Sequence, residues 1–331
     1  MKFNKSKVED YLYKYFCKRK LSNLSVGIIV KEEQFFFNYG FEDTSASKGE
    51  SALYEIGSVT KLVVAAVYAS LAEKQIQLQD TLQTLLSDRF DIAPQFRNIT
   101  IHSLLNHTSG LPRLPEGFLN LIEDIDNPYK QFDDAVIVEY LKLSEEPVGK
   151  KKYEYSNLGY GILGFILTVK FEKDLFSIIK EIILDPLDMS DTTILPFADP
   201  VLLLSGHNSS NAIVPHWQMN SFQGAGFLLS NTTDMVKFLR AHVDPSNPLF
   251  SFLKLTRHFE NNRVALGWHK YGLLGKILRF NKYIWHNGMT GGFSSYAAIN
   301  PSANIGAIAL TNKTDELDEC MFGLYVNPGL T

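Results

Sequence analysis

Several features that mark other classes of protein are absent from this sequence. Only two cysteines occur in 331 residues, Cys17 and Cys320, and they lie near the two ends of the chain. This excludes a disulfide scaffold and a Cys-x-x-Cys zinc site, so we expect two buried, reduced thiols, with a single bridge between terminal helices left open. No stretch of about 18 apolar residues occurs, so we expect no membrane span.

A large excess of positive or negative charge is also missing. The 36 acidic and 32 basic residues give a formal net charge of -4 and are mixed along the chain, so we expect no nucleic-acid partner and no polybasic membrane patch. The basic N-terminus, MKFNKSKVEDYLYKYFCKRK, lacks the apolar run of a secretory signal. As given, the chain is expected to be cytoplasmic, although a chain trimmed of an export signal would look the same.

Three familiar catalytic signatures do not occur either. The absence of Gly-x-Ser-x-Gly argues against an α/β-hydrolase with a Ser-His-Asp triad. The eight histidines include no His-x-x-x-His pair, and His102 and His107 are better explained as structural, so we expect no metal. GAGFLL lacks the third glycine of a dinucleotide loop, and no cofactor is expected.

The order of predicted elements indicates a mixed α/β (α+β) fold. The N-terminus is an amphipathic helix with Val8, Tyr11, Leu12 and Tyr15 on one face. LSVGIIV and FFFNYGF form a predicted β-hairpin, and KYIWHNG, GFSSYAAINP and NIGAIALTN are predicted strands near the other end, followed by a short helix. Between them lie short helical stretches broken by loops.

We therefore predict an antiparallel sheet that is built from both ends of the chain and flanked by helices, with a helical region inserted. Residues 1–77 and 220–331 are assigned to the sheet region and 78–219 to the mainly helical region. Together they are expected to form one catalytic domain.

The first candidate for chemistry lies at the start of an apolar helix, in YEIGSVTKLVVAAVYASLAEK. Residues 62–67 are apolar on every side, as in a fully buried helix, yet the first turn carries Ser58 and Lys61. Residues three apart share a helix face, so Nζ of Lys61 can reach Oγ of Ser58. Burial lowers the pKa of a lysine, and the free N–H groups of a helix start stabilise an oxyanion.

The Ser-x-x-Lys spacing alone is weak evidence, because it occurs four times. The copy at 45–48 lies in a polar loop. The copies at 177–180 and 251–254 fit the solvent-exposed edges of amphipathic helices. Another interpretation of the first copy also stands, in which Ser58 caps the helix and Lys61 extends to water.

Two further segments place polar groups beside apolar helices or glycines. YEYSNLGYGILG puts Tyr155 and Asn157 at the start of a second apolar helix. WHNGMTGGF contains the only His-x-Gly of the chain, beginning at His286 and followed by two glycines that let a backbone approach a ligand. Taken alone, each motif is weak, since Tyr-x-Asn recurs at 325–327 and a turn histidine is commoner than a catalytic one.

In combination, these motifs resemble one enzyme group. GSVTK, YSN and HNG, with LLNHTSGLP (104–112), GAGFLLSNTTDMVKFL (224–239) and GAIALTNK (306–313), are similar to the serine β-lactamase and penicillin-binding protein superfamily. The resemblance is closest to its branch of class C β-lactamases, D-alanyl-D-alanine carboxypeptidases and family VIII esterases. It covers roughly residues 24–313.

The resemblance implies a serine hydrolase that forms an acyl-enzyme with an amide or ester, its substrate being a small molecule or short peptide. Ser58 would be the nucleophile, Lys61 its proton acceptor and Tyr155 a second proton carrier. Asn157 would bind Lys61 and the acyl side chain of the substrate. The backbone N–H groups of Ser58 and Met289 would form the oxyanion hole, each worth about a hundredfold in rate.

The His-Asn-Gly segment departs from the Lys-Thr-Gly of class C β-lactamases, whose lysine and threonine help to hold the substrate carboxylate. His286 and Gly288 would still contribute to substrate binding, but a histidine is only partly charged near neutral pH. This favours an esterase or D-amino-acid peptidase over an efficient β-lactamase. The alternative is a catalytically weak penicillin-binding or regulatory protein of the same fold. The sequence predicts no oligomeric state.

Overall fold

The structure is a computed structural model. It describes residues 3–41, 46–72, 74–150, 152–259, 263–272, 275 and 281–326. The Ser-x-x-Lys copy at 45–48 and the Tyr-x-Asn copy at 325–327 lie partly outside this set.

A six-stranded antiparallel sheet is the centre of the fold, with the strand order β2-β1-β10-β9-β8-β7. Strands from the two ends of the chain are neighbours, since Leu24 of β1 pairs with Thr311 of β10. The predicted sheet built from both ends of the chain is therefore confirmed. The described strands are β1 (Leu24–Val30), β2 (Glu33–Tyr39), β3 (Tyr54–Glu55), β4 (Gly206–His207), β5 (Ile213–Val214), β6 (Leu229–Ser230), β7 (His269–Lys270), β8 (Ile284–Met289), β9 (Ser294–Asn300) and β10 (Ile305–Thr311).

Helices cover the sheet and fill the region inserted into it. None of the described helices is long and apolar enough to cross a lipid bilayer. They are α1 (Lys5–Arg19), α2 (Ala46–Ser51), α3 (Thr60–Leu71), α4 (Leu82–Leu86), α5 (Ile101–Leu105), α6 (Ala135–Leu143), α7 (Asn157–Phe171), α8 (Leu175–Ile179), α9 (Thr232–Val243), α10 (Phe250–Thr256) and α11 (Asp318–Val326).

Two apolar cores lie on opposite faces of the sheet, because successive side chains of a strand point to opposite sides. In the smaller core the two terminal helices pack on the sheet, with Val8 and Leu12 of α1 near Leu324 of α11. The larger core includes Leu62 of α3 and Leu163 of α7. It fixes the two helices whose first residues meet at the candidate site.

The prediction of two buried cysteines is wrong for one of them. Cys320 is buried, but Cys17 is exposed, and both are free thiols. Position 17 lies nine residues after Val8, which is about half a turn around a helix with 3.6 residues per turn. Its side chain therefore points away from the face that Val8, Leu12 and Tyr15 bury against the sheet.

Candidate active site

Ser58 lies in a tight turn that is docked against the edge of the sheet. The turn, Gly57–Val59, is a 3-10 helix that joins β3 to α3. Gly57 has a φ of +47°, and a Cβ there would lie 2.9 Å from the backbone nitrogen of Met289. A Cβ on Gly288 would in turn lie 2.8 Å from the backbone nitrogen of Ser58. Only glycine allows this approach, which brings the two predicted oxyanion-hole segments together.

Lys61 is fully buried, and its amine contacts three oxygen atoms. Nζ lies 2.9 Å from Ser58 Oγ, 3.0 Å from Asn157 Oδ1 and 2.6 Å from the carbonyl oxygen of Ala225. The alternative in which Lys61 extends to water is therefore wrong. Ser58 does not cap the helix either, because no side-chain capping bond forms at the start of the turn or of α3.

The three contacts determine how a neutral amine would be oriented. The oxygens of Asn157 and Ala225 are carbonyl oxygens and accept hydrogen bonds, so they take up the two N–H groups of an uncharged Lys61. The nitrogen lone pair is then left for the third neighbour, the hydroxyl of Ser58. An amine in this position can accept the Ser58 proton as the oxygen becomes a nucleophile.

The electrostatic environment favours the neutral amine. Burial lowers the pKa of Lys61 well below its usual value, and the positive charge of Arg113 lowers it further. The ring centres of Tyr155 and Tyr160, 4.9 and 5.5 Å from Nζ, act weakly in the other direction, because an aromatic face attracts a cation. No carboxylate forms an ion pair with Lys61 among the described residues.

Tyr155 lies next to Ser58 and Lys61, just before α7. Burial raises the pKa of Tyr155 above its usual value of 10, and the interaction of its hydroxyl with the Ser58 side chain acts in the opposite direction. A protonated phenol in this place can donate a hydrogen bond or a proton to a group bound at Ser58. The next residue, Ser156, caps α7 by accepting a hydrogen bond from the backbone N–H of Gly159 at 2.8 Å.

His107, which the sequence predicts to be structural, packs against the segment of Tyr155 and Ser156. Its Nδ1 accepts a hydrogen bond from the backbone N–H of Ser156 at 3.1 Å, and its ring lies 4.6 Å from the ring of Tyr155. The pKa of His107 is well below its usual value because the ring is buried. The neutral ring carries its proton on Nε2, since Nδ1 is the acceptor.

His286 is buried beside the candidate catalytic groups and does not line the cleft described below. Its side chain is buried, Nδ1 donates to the carbonyl oxygen of Asn287 at 2.6 Å, and burial lowers its pKa well below the usual value. The ring of His269, which sequence reasoning missed, lies 4.9 Å from it, and burial lowers the pKa of His269 to about 4. The strand side of the site is therefore uncharged near pH 7.

A narrow cleft of about 70 Å³ opens beside Ser58. Aromatic and sulfur-containing side chains form much of its wall, and several of them come from loops without a regular pattern of apolar residues. The lining residues are Gly57, Ser58, Arg113, Tyr129, Asn157, Trp217, Met219, Ala225, Gly226, Met289 and Thr290.

The part of the cleft wall that contains Trp217 is hydrogen-bonded to β3, the strand that precedes Ser58. The buried carboxylate of Glu55 accepts hydrogen bonds from Nδ1 of His216 at 2.8 Å and from the backbone N–H of Trp217 at 3.2 Å. The rings of Trp217 and Tyr129 then meet edge to face at 5.4 Å. Because Glu55 and Trp217 are 162 positions apart, no local pattern in the sequence predicts this contact.

The comparison with known families agrees with this geometry. The family model described as Beta-lactamase matches residues 6–321. The chain belongs to the beta-lactamase family. This beta-lactamase-family chain is 24% identical over 325 residues to the unguisins hydrolase ungD' of Aspergillus campestris, with 89% of the chain and 59% of that protein covered. It is 24% identical to a beta-lactamase of Providencia stuartii, with 92% of the chain and 86% of that protein covered.

Solved structures of the family share the fold. A D-alanine carboxypeptidase AmpC from Burkholderia cenocepacia superposes with a TM-score of 0.77 at 20% identity, and the match covers 98% of this chain and 99% of that one. The chain thus spans nearly all of this family member but only 59% of the length of the unguisins hydrolase.

Proposed function

We propose that this beta-lactamase-family protein is a serine hydrolase that transfers an acyl group from an ester or amide to Ser58 and then to water. The observation that carries the proposal is the environment of the Lys61 amine. Nζ lies 2.9 Å from Ser58 Oγ and within 3.0 Å of two carbonyl oxygens. In the neutral amine these carbonyls can take up both N–H groups and leave the lone pair for Ser58. A buried amine without a carboxylate partner is costly for the fold, which supports a function for its neutral form.

The proposed reaction has two steps. In acylation, Ser58 Oγ bonds to the carbonyl carbon while its proton moves to Lys61 Nζ, and the resulting oxyanion accepts hydrogen bonds from the backbone N–H groups of Ser58 and Met289. The bond to the leaving group then breaks, and Tyr155 passes a proton to that group. In deacylation, water attacks the carbonyl carbon of the ester at Ser58, and Tyr155 takes back a proton from this water. Lys61 returns its proton to Ser58 Oγ as the ester bond breaks.

The substrate class is inferred from the uncharged strand. An anionic antibiotic gains from a fixed positive charge beside its carboxylate, and the buried, neutral His286 supplies none. Loss of a charge-assisted hydrogen bond costs on the order of 1 to 3 kcal/mol of binding energy. We therefore expect short-chain esters, which carry no carboxylate, to be hydrolysed more readily than penicillins and cephalosporins.

Intact-protein mass spectrometry with a panel of acyl donors tests this proposal. The panel contains a p-nitrophenyl ester, a D-alanyl-D-alanine peptide and a chromogenic cephalosporin, each also followed by steady-state kinetics. We expect a mass increase equal to the acyl group in the wild type and none in Ser58→Ala. Ser177→Ala, which changes a Ser-x-x-Lys copy whose lysine is exposed, is the matched control and should behave as the wild type.

The outcomes separate the two candidate functions. Rapid ester turnover that depends on Ser58 supports the hydrolase. A long-lived adduct without turnover would instead favour the penicillin-binding or regulatory alternative. Labelling that persists in Ser58→Ala would contradict the assignment of the nucleophile.

A further inference from the structure

One charged side chain of the cleft forms no bond in the reaction described above. Arg113 is exposed at the mouth of the cleft and is the only residue with a formal charge among the described residues that line it. Its guanidinium carries five N–H donors, yet no hydrogen bond or ion pair joins it to another described side chain. A cation of this kind beside a nucleophile is available to a ligand.

The position of Arg113 is fixed by the same helix that carries the candidate catalytic groups. Its carbonyl oxygen accepts hydrogen bonds from the backbone N–H groups of Asn157 at 3.0 Å and Leu158 at 3.1 Å, at the start of α7. The guanidinium carbon lies 5.3 Å from the ring centre of Tyr155. Backbone bonds and this contact with an aromatic face thus hold the cation near Ser58.

We propose that Arg113 is a specificity-determining residue that binds an anionic group, most simply a carboxylate, next to the scissile bond of the substrate. The planar guanidinium suits a carboxylate because it can offer two parallel N–H groups. The strand β8, which lines the cleft through Met289, offers no competing cation, since His286 is buried there. The preference for an anion is therefore expected to depend on the loop that carries Arg113, not on the His-Asn-Gly strand.

This inference deepens the proposed hydrolase function and rests on it. It also refines the expected preference against anionic antibiotics. An anionic group should be accepted where it reaches Arg113, and disfavoured where it must lie against β8. The position of the negative charge in the substrate, rather than its presence, would then decide the rate.

Two pairs of esters place the charge on either side of the scissile bond. The acyl pair is 4-nitrophenyl hexanoate and the 4-nitrophenyl monoester of adipic acid. The leaving-group pair is 4-nitrophenyl acetate and 3-carboxy-4-nitrophenyl acetate. For each pair, the ratio of kcat/KM for the anionic ester to that for the neutral ester is compared among the wild type, Arg113→Gln, Arg113→Lys and Arg89→Gln. Arg89 is exposed, lies outside the cleft and undergoes the same change of charge.

We expect Arg113→Gln to lower this ratio about tenfold in one of the two pairs, because a single charge-assisted hydrogen-bonding contact is lost. Arg113→Lys should lower the ratio less than Arg113→Gln does, because lysine keeps the positive charge. Arg89→Gln should leave the ratio unchanged within about twofold. The pair that responds shows which half of the substrate carries the anion. Unchanged ratios in both pairs would overturn the proposal.

A binding measurement keeps the inference testable if no ester is hydrolysed and the proposed function fails. Calorimetry with benzoate and benzamide, which differ in charge but little in shape, compares the two ligands without any reaction. Tighter binding of benzoate by the wild type, lost in Arg113→Gln, would support the anion site. The same ratio of benzoate to benzamide affinity in the wild type and in Arg113→Gln would overturn it.

Discussion

Two serine-lysine pairs with the same spacing have opposite environments in this molecule. In the first pair, the amine of Lys61 is buried, and every group within hydrogen-bonding distance of it is uncharged. Between Ser177 and Lys180 the hydroxyl donates to Asp174, and the exposed ammonium forms an ion pair with Asp185. The spacing brings a hydroxyl and an amine to one face in both helices. Burial, and the absence of a carboxylate, decides which amine can act as a base.

The strongest test of this contrast is to make each lysine permanently charged. Lys61→Arg cannot give up its proton, so it should lose about 10²- to 10⁴-fold in kcat/KM, the usual contribution of a general base. Lys180→Arg keeps an exposed cation and should stay within about twofold of the wild type. The measurement is ester hydrolysis at pH 7 for the two variants side by side. A Lys61→Arg enzyme with substantial activity would remove Lys61 from the base role.

The pH dependence of activity sharpens the same comparison. Because Lys61 must be neutral and burial lowers its pKa, kcat/KM should rise with pH through an apparent pKa below the usual lysine value of about 10.4. Below that pKa the rate falls about tenfold per pH unit, since only the neutral fraction reacts. The apparent pKa belongs to the coupled group that includes Tyr155. A rate that falls as the pH rises from 5 to 9 would contradict this mechanism.

The smallest effect is expected in stability. Lys61→Met removes the cost of a buried amine but leaves two carbonyl oxygens without a donor, so we expect a net gain of about 1 kcal/mol in the free energy of unfolding at pH 7. Lys180→Met changes an exposed ion pair and should alter stability by about 0.5 kcal/mol or less.

The sign of the pH effect on this gain follows from linkage. The folded pKa of Lys61 is lowered, so between that pKa and about 10.4 the unfolded chain binds more protons and the stability of the wild type rises with pH. The advantage of methionine should therefore shrink between pH 7 and pH 9.5. Urea unfolding of the wild type and the variant over this range measures it. An advantage that stays constant over this range would mean that the amine is charged in the folded protein.

Much of the fold could be predicted because its signals are local. The apolar face of α1, the hairpin of β1 and β2 and the buried helix α3 each follow from the spacing of apolar residues within a short segment. The segments that carry Ser58, Tyr155 and His286 were found in the same way. Their meeting in space was inferred only from their resemblance to a family.

The rest of the site depends on contacts between distant loops. Trp217 is held by Glu55, which lies 162 residues earlier, and Tyr129 reaches the cleft from an irregular segment. Arg113 directly follows the LLNHTSGLP motif, so its position in sequence was a signal that pattern analysis did not use. The exposure of Cys17 was predictable from the helix periodicity of α1 and was missed.

The docking of the Ser58 turn on the sheet has a consequence for the order of folding. The carbonyl oxygen of Ile56 accepts a hydrogen bond from Ser295, which lies 239 residues later in the chain. β1 likewise needs β10 as its neighbour. During synthesis from the N-terminus, the segment with the proposed nucleophile is thus made before β8 to β10, and its turn can be held in place only after they are made. Such long loop closures are slow, so acquisition of activity should follow release of the finished chain rather than its first helices.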